Sequence, residues 1–411
     1  MVNGSDTAFV LISAALVMLM TTPGLAFFYG GLVRRKNVLS TMMQSFFLLC
    51  LLSVQWVLFG YSLAFGPDIG HFIGSLSWIG LKGVTMAPNP DYAATIPHLL
   101  FVTFQMMFAV ITPALITGAF AERMKFVSFA LFSLLWATFV YDPVCHWVWG
   151  AGGWLKLRGV LDFAGGSVVH ITSGVSALAA ALMLGKRRGF PSEQLPPHNM
   201  TYTLLGASLL WFGWFGFNAG SALSANEIAV SAFLVTNTAA AVAALTWLVI
   251  EWLSAGKPTV LGGATGAVAG LATITPASGY VSVDSAIAIG ILASLFCYIA
   301  VVFVKQKFTY DDSLDAFGVH GIGGIVGMLA TGLFARKFIN AAGNDGLFAG
   351  NFAFFQEQAL AVGAVILYSV ALTYIFLKII DMLFGLRVND EEEVMGLDHT
   401  QHRESAYTLL D

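Results

Sequence analysis

Eleven apolar stretches, each about long enough to cross a bilayer, constrain this 411-residue chain more than any other feature. A transmembrane helix needs about 20 predominantly apolar residues. The sequence therefore predicts an all-α integral membrane protein of eleven transmembrane helices, of which the eighth and tenth are short and rich in glycine. The spans are expected at residues 7–32, 40–65, 97–121, 125–146, 163–185, 200–222, 228–253, 260–275, 281–304, 317–335 and 355–385.

Charged residues make up only 10% of the chain, whereas soluble domains carry about 25%. So few charges cannot cover a water-facing surface, and most of the chain is expected to lie in lipid. A net charge of −4, without a basic cluster, argues against a nucleic-acid partner. The three cysteines are scattered without C-x-x-C spacing, so neither a disulfide framework nor a zinc site is expected. No cofactor motif is apparent.

The basic residues predict the orientation of the chain. None precedes the first apolar run, and Arg34, Arg35 and Lys36 follow it, so residues 8–32 are expected to be a retained span with the N-terminus outside. Eleven crossings then put the C-terminus in the cytoplasm. Thirteen basic residues fall in the loops and tail assigned to the cytoplasm and five in the external loops, as the positive-inside rule requires. This pattern predicts a multi-pass protein of the inner (plasma) membrane.

Two histidines lie deep in the apolar runs, in the stretches Gly165–His170 and Phe317–Gly321. An ionisable group at membrane depth is costly, which makes His170 and His320 candidates for a function. The alternative is that each imidazole bonds a backbone carbonyl and only holds helices together. Burial penalises the charged imidazolium, so two adjacent rings are expected to be neutral and to share one hydrogen bond.

The positions of the histidines suggest internal duplication. They occupy the fifth and tenth predicted spans, and an odd number of helices in the first block makes the second block cross in the opposite sense. We therefore expect two inverted five-helix repeats, whose two-fold axis would bring the histidines together near the midplane. The predicted transport domain covers residues 1–385, with repeats at about 7–185 and 200–335 and a final helix at about 355–385, and residues 386–411 form a cytoplasmic regulatory tail.

Further candidates lie beside the histidines. Asp162, at the start of the fifth span, could cap the helix by accepting backbone N–H bonds, which we favour, or could bind a cation directly. Aromatic rings at membrane depth could hold a small cation, although interfacial belts explain many such residues. The Ser221 hydroxyl could accept a hydrogen bond from a cation. The aromatic candidates are Phe104, Phe108, Trp149, Trp214 and Phe217.

A second histidine pair, His399 and His402, lies in the tail. Its i,i+3 spacing is compatible with zinc, but no further ligand cluster accompanies it, so a solvated tail is favoured and no metal is expected. No nucleophile or metal-ligand set accompanies the membrane histidines either, and we do not expect an enzyme.

Several long motifs resemble the Amt/Mep/Rh ammonium transporters, and the Amt branch in particular. The resemblance covers essentially the whole chain. Asp142 departs from many relatives, which have an uncharged residue there, and is expected to affect only the local external electrostatics. The motifs that carry the resemblance are Phe104–Phe108, Tyr141–Pro143, Val148–Gly150, Leu161–Gly166, Gly213–Ser221, Thr275–Ala277 and Phe317–Gly321.

The resemblance implies an eleven-helix homotrimer with one pore per subunit. Phe108, Trp149 and Ser221 would form an external ammonium site. Asp162 would organise the site from behind. Phe108 and Phe217 would stack as a gate above the pore histidines His170 and His320. We add Phe104 and Trp214 to the substrate and pore residues because of their position. The segment Glu391–Asp398 resembles the tail on which PII (GlnK-type) signalling proteins act.

Ammonium resembles potassium in size and charge, but it donates four hydrogen bonds and can lose a proton. An aromatic cup with a hydroxyl acceptor uses the first difference, and a dry pore that admits only ammonia uses the second. Methylammonium should also be carried. The histidines could bind ammonia or relay the proton, and we favour electrogenic transport over an electroneutral gas channel. An ammonium sensor that signals through the tail is the alternative from another class.

Overall fold

The computed structural model describes residues 1–193 and 195–407. Apart from one short hairpin in the described chain, its regular structure is helical. The long helices are α1 (Gly4–Leu32), α2 (Arg35–Phe65), α3 (His98–Phe120), α4 (126–149), α5 (Gly166–Leu184), α6 (Met200–Asn218), α7 (Glu227–Ala255), α8 (Val260–Ile274), α9 (Val283–Phe308), α10 (Phe317–Phe334) and α11 (Phe352–Phe384).

Nine helices of the described chain are long and apolar enough to cross a membrane. The two other long helices are α6, which is 19 residues long and carries polar and tryptophan side chains, and α8, which has only 15 residues. They correspond to the sixth and eighth predicted spans. A multi-pass membrane protein is therefore established, and the count of eleven crossings stays a prediction.

The connecting segments contain short elements that the sequence did not predict. The predicted loop 66–96 contains a hairpin of β1 (Asp68–Ile69) and β2 (Ile73–Gly74), with Asp68 opposite Gly74. Four short 3₁₀ or α turns lie in the described connections, and a fifth ends α9. They are Leu76–Leu81, Trp154–Leu157, Ala219–Ala222, Leu347–Ala349 and a Lys305–Phe308 turn at the end of α9.

Helices α5 and α10 form the centre of the molecule. They pack against each other, α3 packs on α5, and α11 packs on both. The lateral surface of the peripheral helices α2, α7, α9 and α11 is apolar and exposed, with large side chains such as Phe233, Leu245, Phe296 and Leu367. Exposed apolar surface of this extent is stable in lipid and not in water.

The tail forms two short helices, α12 (Asp390–Met395) and α13 (Leu397–His402), folded against the loops between the long helices. Glu393 is buried and accepts hydrogen bonds from the Arg188 backbone N–H (2.7 Å) and from the Arg387 guanidinium (2.6 Å). Asp398 is also buried and accepts a 2.8 Å bond from the Ser40 backbone N–H. The tail therefore contacts the first predicted repeat through Ser40 and the link between the two predicted repeats through Arg188.

Candidate functional site

The two membrane histidines lie side by side at the contact between α5 and α10. Their ring centroids are 5.3 Å apart, with planes inclined by 16°, and both side chains are buried. Glycine makes this approach possible: a Cβ built on Gly174 would lie 2.1 Å from the Gly321 backbone nitrogen, and one on Gly324 would lie 2.9 Å from the His170 Cβ. Small residues are what allow helix backbones in membranes to pack this closely.

Each histidine occupies a single π-helical turn at the start of its helix. The turns are Gly166–Ile171 and Phe317–Gly321, and each continues into a 13-residue α-helix. A π turn adds one residue to a helical turn and often lies at functional sites. This local similarity accords with the predicted duplication. The inverted relation of the two halves stays a prediction.

An aspartate caps each of these turns. The Asp162 carboxylate accepts bonds of 2.6–3.2 Å from the backbone N–H groups of residues 165–168 and a 2.5 Å bond from the Ser167 hydroxyl. Asp312 accepts bonds from the N–H groups of Ala316 (3.1 Å) and Phe317 (2.7 Å). These contacts correspond to the capping interpretation of Asp162, because five donors already surround its two oxygens.

The hydrogen bond predicted between the two histidines is absent from the described chain. Both ring nitrogens of His170 and the Nδ1 atom of His320 are buried without a hydrogen-bond partner. The expectation of a shared bond was therefore wrong for this structure. The cause is the orientation of the His170 ring, which stacks on the Trp214 indole with centroids 5.5 Å apart. Trp214 is itself fixed by a 2.9 Å bond from its Nε1–H to the Thr275 hydroxyl.

Two phenylalanines close the space above the histidines. The rings of Phe108 and Phe217 stack with centroids 4.2 Å apart and planes inclined by 28°, and both are buried. Phe217 lies 6.2 Å from the His170 ring, between centroids. The next ring along α3, Phe104, packs edge-on against Phe108 at 5.0 Å. Phe104 is buried behind the stacked pair and is not among the residues that line the cavity beyond it.

Three cavities follow one another through the molecule. The Trp149 cavity, of about 390 Å³, is lined by Trp149, Ser221 and Asp162 among others. The histidine chamber, of about 10 Å³, contains both histidines, Trp214 and Phe217. That volume corresponds to roughly one water molecule. The tail-side cavity, of about 370 Å³, reaches His320 from the opposite end.

The polar groups of the Trp149 cavity are oriented by hydrogen bonds. The Trp149 indole donates a 2.8 Å bond to the Asp162 backbone carbonyl, and its ring meets the edge of Phe108 at 5.9 Å. The Ser221 hydroxyl donates a 2.8 Å bond to the Phe217 carbonyl. Because its proton is committed to the backbone, the Ser221 oxygen can accept a bond from a cation in the cavity.

The structure adds residues that sequence reasoning missed. Gln105 lines the Trp149 cavity, and its Oε1 atom is buried without a partner. Asp312 was missed as the second cap, although a signal was present: Asp162 precedes His170 by eight positions, and Asp312 precedes His320 by eight. Two identical spacings in the two predicted repeats could have assigned both roles.

Asp142, the residue at which this sequence departs from many relatives, lies in the interior of the protein. It lies inside α4, is fully buried, and accepts a 2.8 Å bond from the Gln55 side chain. The expectation of an effect on external electrostatics was wrong because protein encloses the carboxyl group on all sides. Asp142 therefore belongs to the packing of α4 against α2.

Comparison with known proteins assigns the family. The family model described as Ammonium Transporter Family matches residues 8–407. An ammonium transporter of Bacillus subtilis is 54% identical over 402 residues, covering 98% of each chain. Ammonium transporter Amt1 of Archaeoglobus fulgidus is 50% identical and covers 99% of this chain and 100% of its own.

Solved structures have the same fold. The crystal structure of Saccharomyces cerevisiae Mep2 superposes with a TM-score of 0.89 at 37% identity, covering 95% of this chain and 89% of Mep2. A structure described as Sensor Amt Protein gives a TM-score of 0.89 at 31% identity, covering 97% and 98%. By sequence over nearly its whole length and by fold, the chain belongs to the ammonium transporter family.

Proposed function

We propose that this ammonium transporter binds ammonium in the Trp149 cavity, removes one proton, and conducts ammonia through the histidine chamber. The observation that carries the proposal is the series of cavities: two large spaces separated by a stacked phenylalanine pair and a chamber of about 10 Å³. A chamber of that size admits one small molecule and cannot hold an ion together with its water shell.

Recognition takes place where aromatic faces and an acceptor converge. Trp149 lines the cavity and offers a ring face worth about 0.5–2 kcal/mol to a cation, and the Ser221 oxygen accepts one of its hydrogen bonds. Phe108 is buried beside the Trp149 ring and stacks on Phe217, so we assign it to the gate at the inner end of this site. Asp162 positions the Trp149 side of this site through its cap and its backbone carbonyl. Phe104 supports Phe108 from behind instead of touching the ion. Methylammonium fits the same chemistry with one fewer donor.

The histidine pair provides the polar groups of an otherwise apolar passage. Three ring nitrogens without partners border the chamber. A neutral imidazole can donate from one nitrogen and accept at the other, so the pair can bind ammonia in either orientation or carry the proton that ammonium loses. We propose that the proton follows the ammonia, so that transport is electrogenic and the membrane potential drives uptake. An electroneutral gas channel is the alternative.

The larger arrangement follows from the same proposal. The Trp149 cavity is external, the tail-side cavity is cytoplasmic, and the N-terminus is outside, as the distribution of basic residues favours. The chain crosses the inner membrane eleven times in two inverted repeats and assembles as a homotrimer. The tail is cytoplasmic, and its contacts through Glu393 and Asp398 make it a suitable site of action for a PII/GlnK-type regulator.

Current recording from purified protein in liposomes tests this function. The vesicles receive an ammonium pulse and then a potassium pulse, while an internal dye reports pH. Current with ammonium alone supports deprotonation with proton relay. Internal alkalinisation without current supports the gas channel, and equal currents with both ions refute the selectivity mechanism. A protein that produces neither current nor a pH change, but still binds methylammonium, would favour the sensor.

A further inference from the structure

The Trp149 cavity contains an ammonium group of the protein itself. Lys156 lies in the turn Trp154–Leu157 and lines the cavity together with Trp149 and Ser221. Its Nζ atom donates a 3.0 Å hydrogen bond to the Trp149 backbone carbonyl and lies 5.7 Å from the centroid of the Tyr92 ring. Asp91 lines the same cavity and is the acidic neighbour of this side chain.

These three neighbours are of the kinds that a free ammonium ion would seek. A carbonyl oxygen accepts an N–H bond, an aromatic face attracts a cation, and a carboxylate adds an opposite charge. The subsite is rigid, because the Tyr92 hydroxyl donates to the Phe65 carbonyl (2.5 Å) and accepts from the Ala151 backbone N–H (3.1 Å). The lysine side chain, in contrast, is an exposed chain of four methylene groups that can move aside.

We propose that Lys156 is a tethered competitor of the substrate: its ammonium group occupies the outer part of the cation site, and an incoming ammonium ion displaces it. This inference depends on the proposed function, since it takes the Trp149 cavity as the place where ammonium binds. A group on a short flexible tether has an effective concentration of the order of millimolar. Lys156 therefore sets an upper limit on the affinity of the cavity for ammonium.

A competitor of this kind has a thermodynamic signature. Any cation must first displace the lysine, so the apparent dissociation constants of all cations are raised by one common factor. Removing the lysine ammonium should therefore lower the KM for ammonium and the inhibition constant of methylammonium by the same ratio. A group that binds or supports the substrate site would have the opposite sign, because its loss raises KM.

The variant Lys156→Met keeps most of the aliphatic stem and removes the charge. With protein in liposomes, we expect the KM for ammonium to fall about threefold or more, with the same fold-change for methylammonium inhibition and an unchanged maximal rate. Lys337→Met, at an exposed lysine outside the cavity, is the matched control and should leave KM unchanged. A KM that stays constant or rises in Lys156→Met overturns the proposal.

Ionic strength separates contact from long-range repulsion. The Debye length falls from about 30 Å at 0.01 M salt to about 3 Å at 1 M. If Lys156 occupies the subsite, the fold-change persists in 1 M sodium chloride, whose strongly hydrated cation has no N–H donors and screens distant charges without occupying the subsite. If it vanishes there, the lysine acts only as a distant charge and the tethered-competitor proposal is wrong. Calorimetric titration of methylammonium into the purified protein measures the same ratio of dissociation constants without transport. Competition by Lys156 can therefore be tested even if the proposed transport function is wrong.

Discussion

Replacing Asp162 tests whether this carboxylate has a structural role or binds the substrate. In Asp162→Ala, four backbone N–H groups and the Ser167 hydroxyl lose their acceptor inside the molecule. Even about 1 kcal/mol for each orphaned donor amounts to about 5 kcal/mol. That is comparable with the lower end of the total stability of a folded domain, about 5–15 kcal/mol. We therefore expect little folded protein.

Asp162→Asn provides a graded comparison. The amide oxygen can keep the two bonds that Oδ1 accepts from Gly165 and Gly166, whereas the NH₂ group meets the N–H groups of Ser167 and Val168. Asp162→Asn should therefore lose roughly half as much folding stability as Asp162→Ala, about 2–3 kcal/mol. Asp312→Asn is the matched control in the other predicted repeat. Because Asp312 accepts only two backbone hydrogen bonds, this substitution should lower the folding stability by less.

Thermal unfolding in detergent, followed by tryptophan fluorescence, measures this series, and size-exclusion chromatography measures the yield of folded protein. The expected order of destabilisation is Asp162→Ala, then Asp162→Asn, then Asp312→Asn. If Asp162→Ala instead folds and unfolds like the parent protein while its affinity for ammonium is weakened, the capping argument is refuted. The carboxylate would then have to bind the ion directly.

Four further predictions concern the pore, the gate, a buried acid and the tail. His170→Ala or His320→Ala should abolish methylammonium uptake in vesicles or change its selectivity, whereas the tail variant His399→Ala should not; unchanged uptake in both pore variants would contradict the site. Phe217→Ala removes the 4.2 Å stack and should admit a potassium-driven current; a current still confined to ammonium would rule out the gate. Burial raises the pKa of Asp312 to about 6, against the opposing charge of Lys305. The folded state therefore binds this proton more tightly than the unfolded chain, and the unfolding temperature should fall as pH rises from about 4 to 6, a step that Asp312→Asn removes. Glu393→Gln weakens two tail contacts, and limited proteolysis should cut the tail faster than in the parent protein.

The sequence predicted what depends on local chemistry. The apolar runs located the helices, and an Asp followed by glycines predicted the cap at Asp162. The proximity of His170 and His320 followed from a repeat argument, and the structure places the rings 5.3 Å apart. Each of these inferences required only residue type and spacing.

The features that were missed depend on packing. A π turn has no sequence propensity of its own, because it is formed where tertiary contacts compensate for the extra residue. The orientation of His170 depends on Trp214, which is 44 positions away in sequence, and so the shared hydrogen bond was predicted wrongly. Likewise, the burial of Asp142 depends on its contact with Gln55, which is 87 positions away in sequence, and local sequence could not predict it.

The geometry also determines whether ammonium crosses the chamber at a lower free-energy cost as an intact ion or as ammonia after losing a proton. Removing the proton from an alkylammonium with the pKa of a lysine, about 10.4, costs about 5 kcal/mol at pH 7. Moving the intact ion into an apolar space costs several kcal/mol after relaxation and of the order of 20 kcal/mol in the idealised case. A chamber of about 10 Å³ leaves no room for water to relax around the ion, so the cost lies well above the lower figure. Deprotonation is then the cheaper path for ammonium, and any proton that the histidines accept lowers its cost further. Potassium cannot lose a proton, so it can enter the chamber only as an intact ion, at the higher free-energy cost. Selectivity against potassium therefore arises from the dry chamber more than from the aromatic cup, and a variant that hydrates the chamber should lose selectivity even when the cup is intact.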